Sequence, residues 1–118
     1  MALHIETGKR GEVLAKEYLQ QQGFTVLHNN WKYDRYEIDL IATRNGKLHF
    51  IEVKTRKSSA FGFPEESVTK KKFAKLQKAA AQFLYKHPGW RRVQYDILSV
   101  FIDGNDQATY FYIEDVYL

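Results

Sequence analysis

The 118-residue chain contains no cysteine, only two prolines and no apolar run long enough to span a membrane. Each shortage excludes something. Without cysteine there are no disulfides, thiolate zinc sites or cysteine nucleophiles, so a disulfide-stapled exported scaffold is ruled out and any metal must be held by oxygen or imidazole. Scarce proline, with 44% hydrophobic and 27% charged residues, argues for a folded globule rather than a disordered or fibrous chain. Met1 to Glu6 lack the apolar core of a signal peptide, so a soluble cytoplasmic protein with no membrane association is expected. The length predicts a single domain over residues 1–118.

Eighteen Lys and Arg against fourteen Asp and Glu leave a net charge of +4, which permits polyanion binding without requiring it. Placement says more than the total. Lys70, Lys71, Lys72, Lys75 and Lys78 share one segment, with Lys54, Arg56 and Lys57 upstream, whereas Glu37, Asp39 and Glu52 crowd a short stretch before them.

Helical spacing predicts a first helix from after Thr7 to Gly23, with Gly8, Gly11, Leu14, Ala15, Tyr18 and Leu19 on one arc and Glu12 at its rim. Phe24 to His28 reads as a strand ended by Asn29-Asn30. Two further strands, Tyr36 to Ala42 and Lys47 to Lys54, flank Asn45-Gly46, the dipeptide that most favours a two-residue hairpin turn. That turn sets Arg44 opposite Lys47, and in the same register Asp39 faces Glu52 and Glu37 faces Lys54. Alternation then puts these four residues on one sheet face, with Ile41, Leu48 and Phe50, and puts Tyr36, Ile38, Leu40, Ile51 and Val53 on the core face. A second helix from about Thr69 to Lys86, a strand from Gln94 to Ile102, a turn at Gly104-Asn105 and a last strand from Ala108 to Ile113 complete the chain. Strand, helix, strand implies a crossover to a parallel neighbour, and hence an α/β fold with a mixed central sheet flanked by helices.

Two facing carboxylates repel and demand a remedy: a shared proton, nearby cations or a divalent metal. On an exposed face, Asp39 and Glu52 need only water, and Glu37 with Lys54 is an ordinary cross-strand ion pair. On a covered face the pair needs a partner, and magnesium suits it, because it accepts one or two carboxylates and fills its remaining positions with water and phosphate oxygens. Lys54 would then orient or help deprotonate a water, or neutralise charge on a phosphorane. The lysine-rich helix is either a solvated face or a surface for a phosphate backbone. His4, His28, His49 and His87 show no metal-type spacing, Ser58 and Ser59 lack the frame of a hydrolase nucleophile, and no phosphate-cradling glycine loop is present.

Asp39 followed, after twelve residues, by Glu52-Val53-Lys54 resembles the signature of the PD-(D/E)XK nuclease superfamily. More closely, the chain resembles the bacterial YraN-like family of endonuclease-like proteins, similar to archaeal Holliday junction resolvases. The likeness runs through Gly8, Gly11-Glu12, Ala15, Tyr18-Leu19, Gly23-Phe24, Asn30-Trp31, Glu37-Ile38-Asp39-Leu40-Ile41, Phe50 to Arg56, Phe61-Gly62, Pro64, Lys72 and Tyr95-Asp96. Tyr36 departs from it, standing where that family usually has glycine. The resemblance implies a restriction-endonuclease-like core, Asp39, Glu52 and Lys54 as catalytic residues, and Asp39, Glu52 and Glu12 as ligands to Mg2+ or Mn2+. A salt bridge to Lys16 is the other role open to Glu12. Glu37 is a secondary ligand or, preferably, the partner of Lys54. Arg56, Lys57, Lys70, Lys71, Lys72 and Lys75 would contact DNA, and the Phe61-Gly62-Phe63 loop could grip phosphate or a distorted strand. The implied function is a metal-dependent DNA endonuclease acting on branched or structured DNA. The alternative is a non-catalytic nucleic-acid-binding or repair accessory module on the same scaffold, and a homodimer would suit symmetric cutting.

Overall fold

A computed structural model describes residues 2–57 and 69–116, with side chains from Gly8 onward. Helix α1 spans Ala2–Gln21, followed by strands β1 (Thr25–Tyr33), β2 (Tyr36–Arg44) and β3 (Lys47–Arg56), helix α2 (Lys70–Lys86), and strands β4 (Val93–Ile102) and β5 (Ala108–Ile113). The strands form one sheet in the order β1-β2-β3-β4-β5. β3 and β4 run parallel and every other neighbouring pair antiparallel, which is the mixed sheet expected from the sequence.

The two helices cover opposite faces. Ala15 and Leu19 of α1 pack with Phe24, Leu40, Ala42, Ile51, Leu98, Val100 and Ile102. Leu76, Ala79, Ala80 and Phe83 of α2 pack with Ile38, Ile41, Leu48 and Phe50. Because Ile41, Leu48 and Phe50 are fully buried beneath α2, the face assigned to the carboxylates is covered, and charges at its end are partly desolvated.

Local chemistry sets most boundaries. Asn45 and Gly46 both take positive φ (54° and 77°), and the hairpin register runs from Arg44↔Lys47 to Leu40↔Ile51 as the turn dictates. Thr69 caps α2, its Oγ1 accepting from Lys72 N at 3.2 Å, and β5 has the expected limits. Most boundaries fall within two residues of expectation, and two differ by more. α1 begins at Ala2 rather than after Thr7, since Leu3 to Thr7 contain neither glycine nor proline to stop it. β1 continues through Asn29-Asn30 to Tyr33: Asn30 takes φ 53° inside the strand, a conformation asparagine tolerates, and the reversal falls at Asp34-Arg35.

The face assignment also needs correcting at one place. Tyr36 and Ile38 belong to the α2-side cluster, not to the α1 side with Leu40, Ile51 and Val53. Ile38 and Ile41 share a face although they are three residues apart, so the alternation slips between them, at Asp39 and Leu40. Regular β2–β3 pairing stops at Leu40↔Ile51, so the expected facing pairs Asp39–Glu52 and Glu37–Lys54 lie beyond the paired ladder.

Gly11 is where α1 meets β3. A Cβ there would lie 1.8 Å from Thr55 Oγ1 and 2.7 Å from Thr55 Cβ, too close for the threonine rotamer alone to relieve. Gly11→Ala should therefore destabilise the fold by about 1–3 kcal/mol through overpacking, despite a helix-propensity gain of about 1 kcal/mol. Urea unfolding of Gly11→Ala, with and without Thr55→Ala, measures this. A stabilised single variant, or no rescue by the second change, would show that the helix stands off the strand.

Candidate active site

The open end of the β2–β3 hairpin brings Asp39, Glu52 and Lys54 together. Where the ladder ends, Asp39 Oδ2 accepts the Val53 N–H at 2.8 Å, so a carboxylate takes the place of a strand carbonyl. That bond fixes Asp39 against the backbone between Glu52 and Lys54. Lys54 Nζ lies 3.3 Å from Glu52 Oε1, both side chains being only partly exposed. The lysine thus pairs with the glutamate two positions back on its own strand rather than with Glu37, because the register that would set Glu37 opposite Lys54 has already ended.

Burial, then the charges of Glu52 and Glu12, push the Asp39 carboxyl up to about 7 against the opposing pull of the Val53 N–H and Lys54. This is the signature of excess acid in a covered place, and the donor set is all oxygen, which fits a hard divalent cation such as magnesium. Glu12 acts on Asp39 from α1, but its Oε2 accepts from Asn30 Nδ2 at 3.1 Å and it lines a separate groove with Lys9, Lys16, Glu17, Asn29 and Asn30. The left-handed Asn30 that prolongs β1 is therefore also what holds Glu12. Among the described residues, no three acidic or histidine side chains form a ready-made metal cage. Asp39 and Glu52 are the acids whose charges act on each other most strongly here, and Glu12 acts on Asp39 as a more distant charge.

Beside this pair a cleft of about 610 Å³ is lined by Arg35, Tyr36, Glu37, Glu52, Lys54, Lys72, Lys75, Leu76 and Lys78. α2 lays its lysines along one wall because Phe73, Leu76, Ala79, Ala80 and Phe83 bury the other side of the helix. Lys54 close by holds the Lys72 ammonium below its usual range, and Arg56 adds to the effect, so that among the described residues cations outnumber anions here. Of the expected DNA contacts, Lys72 and Lys75 line the cleft. Arg56 is half-buried at the end of β3, whereas Lys57, Lys70 and Lys71 are exposed outside the lining. Ser58, Ser59 and the Phe61-Gly62-Phe63 loop lie outside the described residues.

Sequence reasoning missed two features. Tyr36 and Arg35 line the cleft, which simple alternation hid because the strand slips at Asp39. The second is a buried polar network on the α1 face. Asp96, fully buried, accepts from His49 Nδ1 at 2.7 Å, Gln94 Nε2 at 2.9 Å, Asp115 N at 2.9 Å and the Tyr112 hydroxyl. Burial alone would raise its pKa, but these donors outweigh it and hold Asp96 below the usual carboxylate range. An ionised carboxylate only accepts, so His49 Nδ1 carries the proton. Tyr112 is driven well above its ordinary value by burial and by Asp96. His49 thus has a structural role, as its lack of metal spacing suggested, and Gln94 and Asp96 stand beside it because β3 and β4 pair His49↔Gln94.

A five-stranded mixed sheet between two helices, with an acid pair and a lysine at a hairpin that opens beside its parallel neighbour, is a framework compatible with a nuclease-like core. Residues 11–100 match the uncharacterised protein family UPF0102, the YraN-like proteins, and the chain belongs to that family. It is 41% identical over 97 residues to a UPF0102 protein of Cytophaga hutchinsonii, covering 82% of this chain and 86% of that one. It is 37% identical over 110 residues to one of Syntrophomonas wolfei (92% and 96% covered) and 33% identical over 118 residues to one of Rhodococcus opacus (99% and 100%). Among the described residues, no helix is long and apolar enough to cross a membrane.

Proposed function

We propose that this protein is a magnesium- or manganese-dependent DNA endonuclease that hydrolyses phosphodiesters, with branched or structured DNA as its substrate. The observation that carries this reading is the Asp39 carboxyl, held by Val53 N–H between Glu52 and Lys54 and pushed up to about 7 by burial and by Glu52, with Glu52 and Lys54 lining a lysine-rich cleft. Asp39 and Glu52 would hold the ion. When bound, it supplies Lewis-acid polarisation of a phosphoryl oxygen and lowers the pKa of a water. Lys54, steered by Glu52, orients the attacking water or offsets charge on the phosphorane. Lys72 and Lys75 take the flanking phosphates, each neutralised charge releasing a counterion.

The test is cleavage of a panel of linear, flapped and four-way DNA substrates with Mg2+ or Mn2+. Asp39→Ala and Lys54→Ala should each reduce cleavage by about 100-fold or more. Cleavage that persists unchanged in both variants is contaminant activity and removes the proposal. One observation favours a second reading, a DNA-holding scaffold without turnover: Glu12 is committed to Asn30 rather than gathered with Glu52. Metal-independent binding with no cleavage of any substrate would select it.

A further inference from the structure

We infer that the cleft beside Glu52 and Lys54 receives an unpaired nucleotide, its base stacked on Tyr36 and its phosphate held by Lys54, Lys72 and Lys75. The inference rests on the nucleic-acid reading above and narrows it to strands with exposed bases.

The lining joins two chemistries that a backbone-only site does not need together. Among the described residues of the lining, Arg35, Lys54, Lys72, Lys75 and Lys78 supply five cations against the two acids Glu37 and Glu52, a balance that favours an anion. Tyr36 adds an aromatic ring to the same lining. The Arg35 guanidinium carbon lies 5.6 Å from the ring centroid, over the face that is turned away from the core, and a stacked base would take the place of this long, flexible side chain there. The cleft, at about 610 Å³, is within the range of roughly 300–1,000 Å³ typical of ligand pockets.

Tyr36 is also held in place. It pairs with Tyr33 across the Asp34-Arg35 turn, whose Asp34 sits at φ 55°, and its inner side packs against the Ile38 and Phe50 cluster. A ring fixed by a tight hairpin loses little entropy on stacking, which favours its use as a platform. Inside a continuous duplex each base has both faces covered by its neighbours, so such a ring can reach only a base already out of the stack.

The experiment is fluorescence anisotropy in EDTA at one fixed salt concentration, which reads binding apart from cleavage. The probes are a labelled single-stranded oligonucleotide and a matched blunt duplex, with a nucleoside monophosphate as competitor. The wild-type protein should prefer the single strand. Tyr36→Leu should weaken that binding by about 5- to 150-fold, the value of one base stacked on an aromatic ring. Tyr36→Phe should keep the preference, and duplex binding by Tyr36→Leu should be unchanged, which also reports that this variant is folded. Equal wild-type binding to strand and duplex, or a Tyr36→Leu preference matching wild type, overturns the inference while leaving the endonuclease reading standing. Competition by the monophosphate as strong as by the strand overturns it in favour of a small-molecule site. Binding to neither probe defeats both the inference and the nucleic-acid reading.

Discussion

Asp96→Ala should cost about 3–5 kcal/mol of folding stability, the range seen when one partner of a buried charged network is removed. Domains of this kind are stable by about 5–15 kcal/mol, so the variant loses a large fraction of the total. The reason is the number of donors that lose their acceptor. His49 Nδ1, Gln94 Nε2, the Asp115 N–H and the Tyr112 hydroxyl converge on a carboxylate with no solvent exposure. Each donor left unsatisfied in the interior carries a desolvation penalty of about 1–3 kcal/mol, partly relieved by rearrangement. Asp96 also joins β4 to β5 through Tyr112 and to the segment after β5 through Asp115, so its loss loosens that edge of the sheet. Tyr112→Phe removes one donor and should cost only about 1 kcal/mol. Urea midpoints of the two variants measure the difference. A loss no greater for Asp96→Ala than for Tyr112→Phe would mean that water enters and replaces the carboxylate.

Asp39→Asn should do the opposite and stabilise the protein above neutral pH. The folded-state pKa is about 7 against an ordinary value of 3.8, so between those values the folded chain holds a proton that the unfolded chain has released. Wild-type stability should fall as pH rises from about 4 to 7 and then level off, with a ceiling of about 4 kcal/mol for this one group. The asparagine amide is neutral throughout, and its oxygen can still accept the Val53 N–H. Urea unfolding at pH 5 and pH 8 should show the wild type losing stability between them and the variant nearly flat in this component. Magnesium should raise the wild-type melting temperature at pH 8 and leave that of Asp39→Asn unchanged, because the ion relieves the same repulsion that the substitution removes. Parallel pH profiles in the two proteins would mean that Asp39 is solvated and ionised in the fold. Asp96 has the reverse dependence: its contribution is complete above the ordinary carboxylate range and is lost as pH falls through its depressed value. The wild-type protein is thus squeezed from both sides, by Asp96 in acid and by Asp39 as pH rises toward neutral.

That contrast also separates the site from the scaffold. Asp96 is ionised and fully satisfied by donors, so its strong environment does structural work. Among the described residues, Asp39 has one donor and two acidic neighbours, an arrangement that a well-packed interior would not keep unless a cation or a proton completed it.

From residues alone, the hairpin at Asn45-Gly46, its register near the turn, the buried faces of both helices and the mixed sheet were determined, because each depends on local φ preference or on the period of apolar residues. The same local rules placed Asp39, Glu52 and Lys54 near one another. Only the tertiary structure decided how they meet. Pairing along β2 and β3 stops at Leu40 and Ile51, since the Asp39 side chain takes the Val53 N–H that a continuing strand would have used. That event moved Tyr36 to the cleft and gave Lys54 to Glu52 instead of Glu37. No periodic pattern carries it, because it arises from one side chain competing with the backbone of the neighbouring strand for a single N–H.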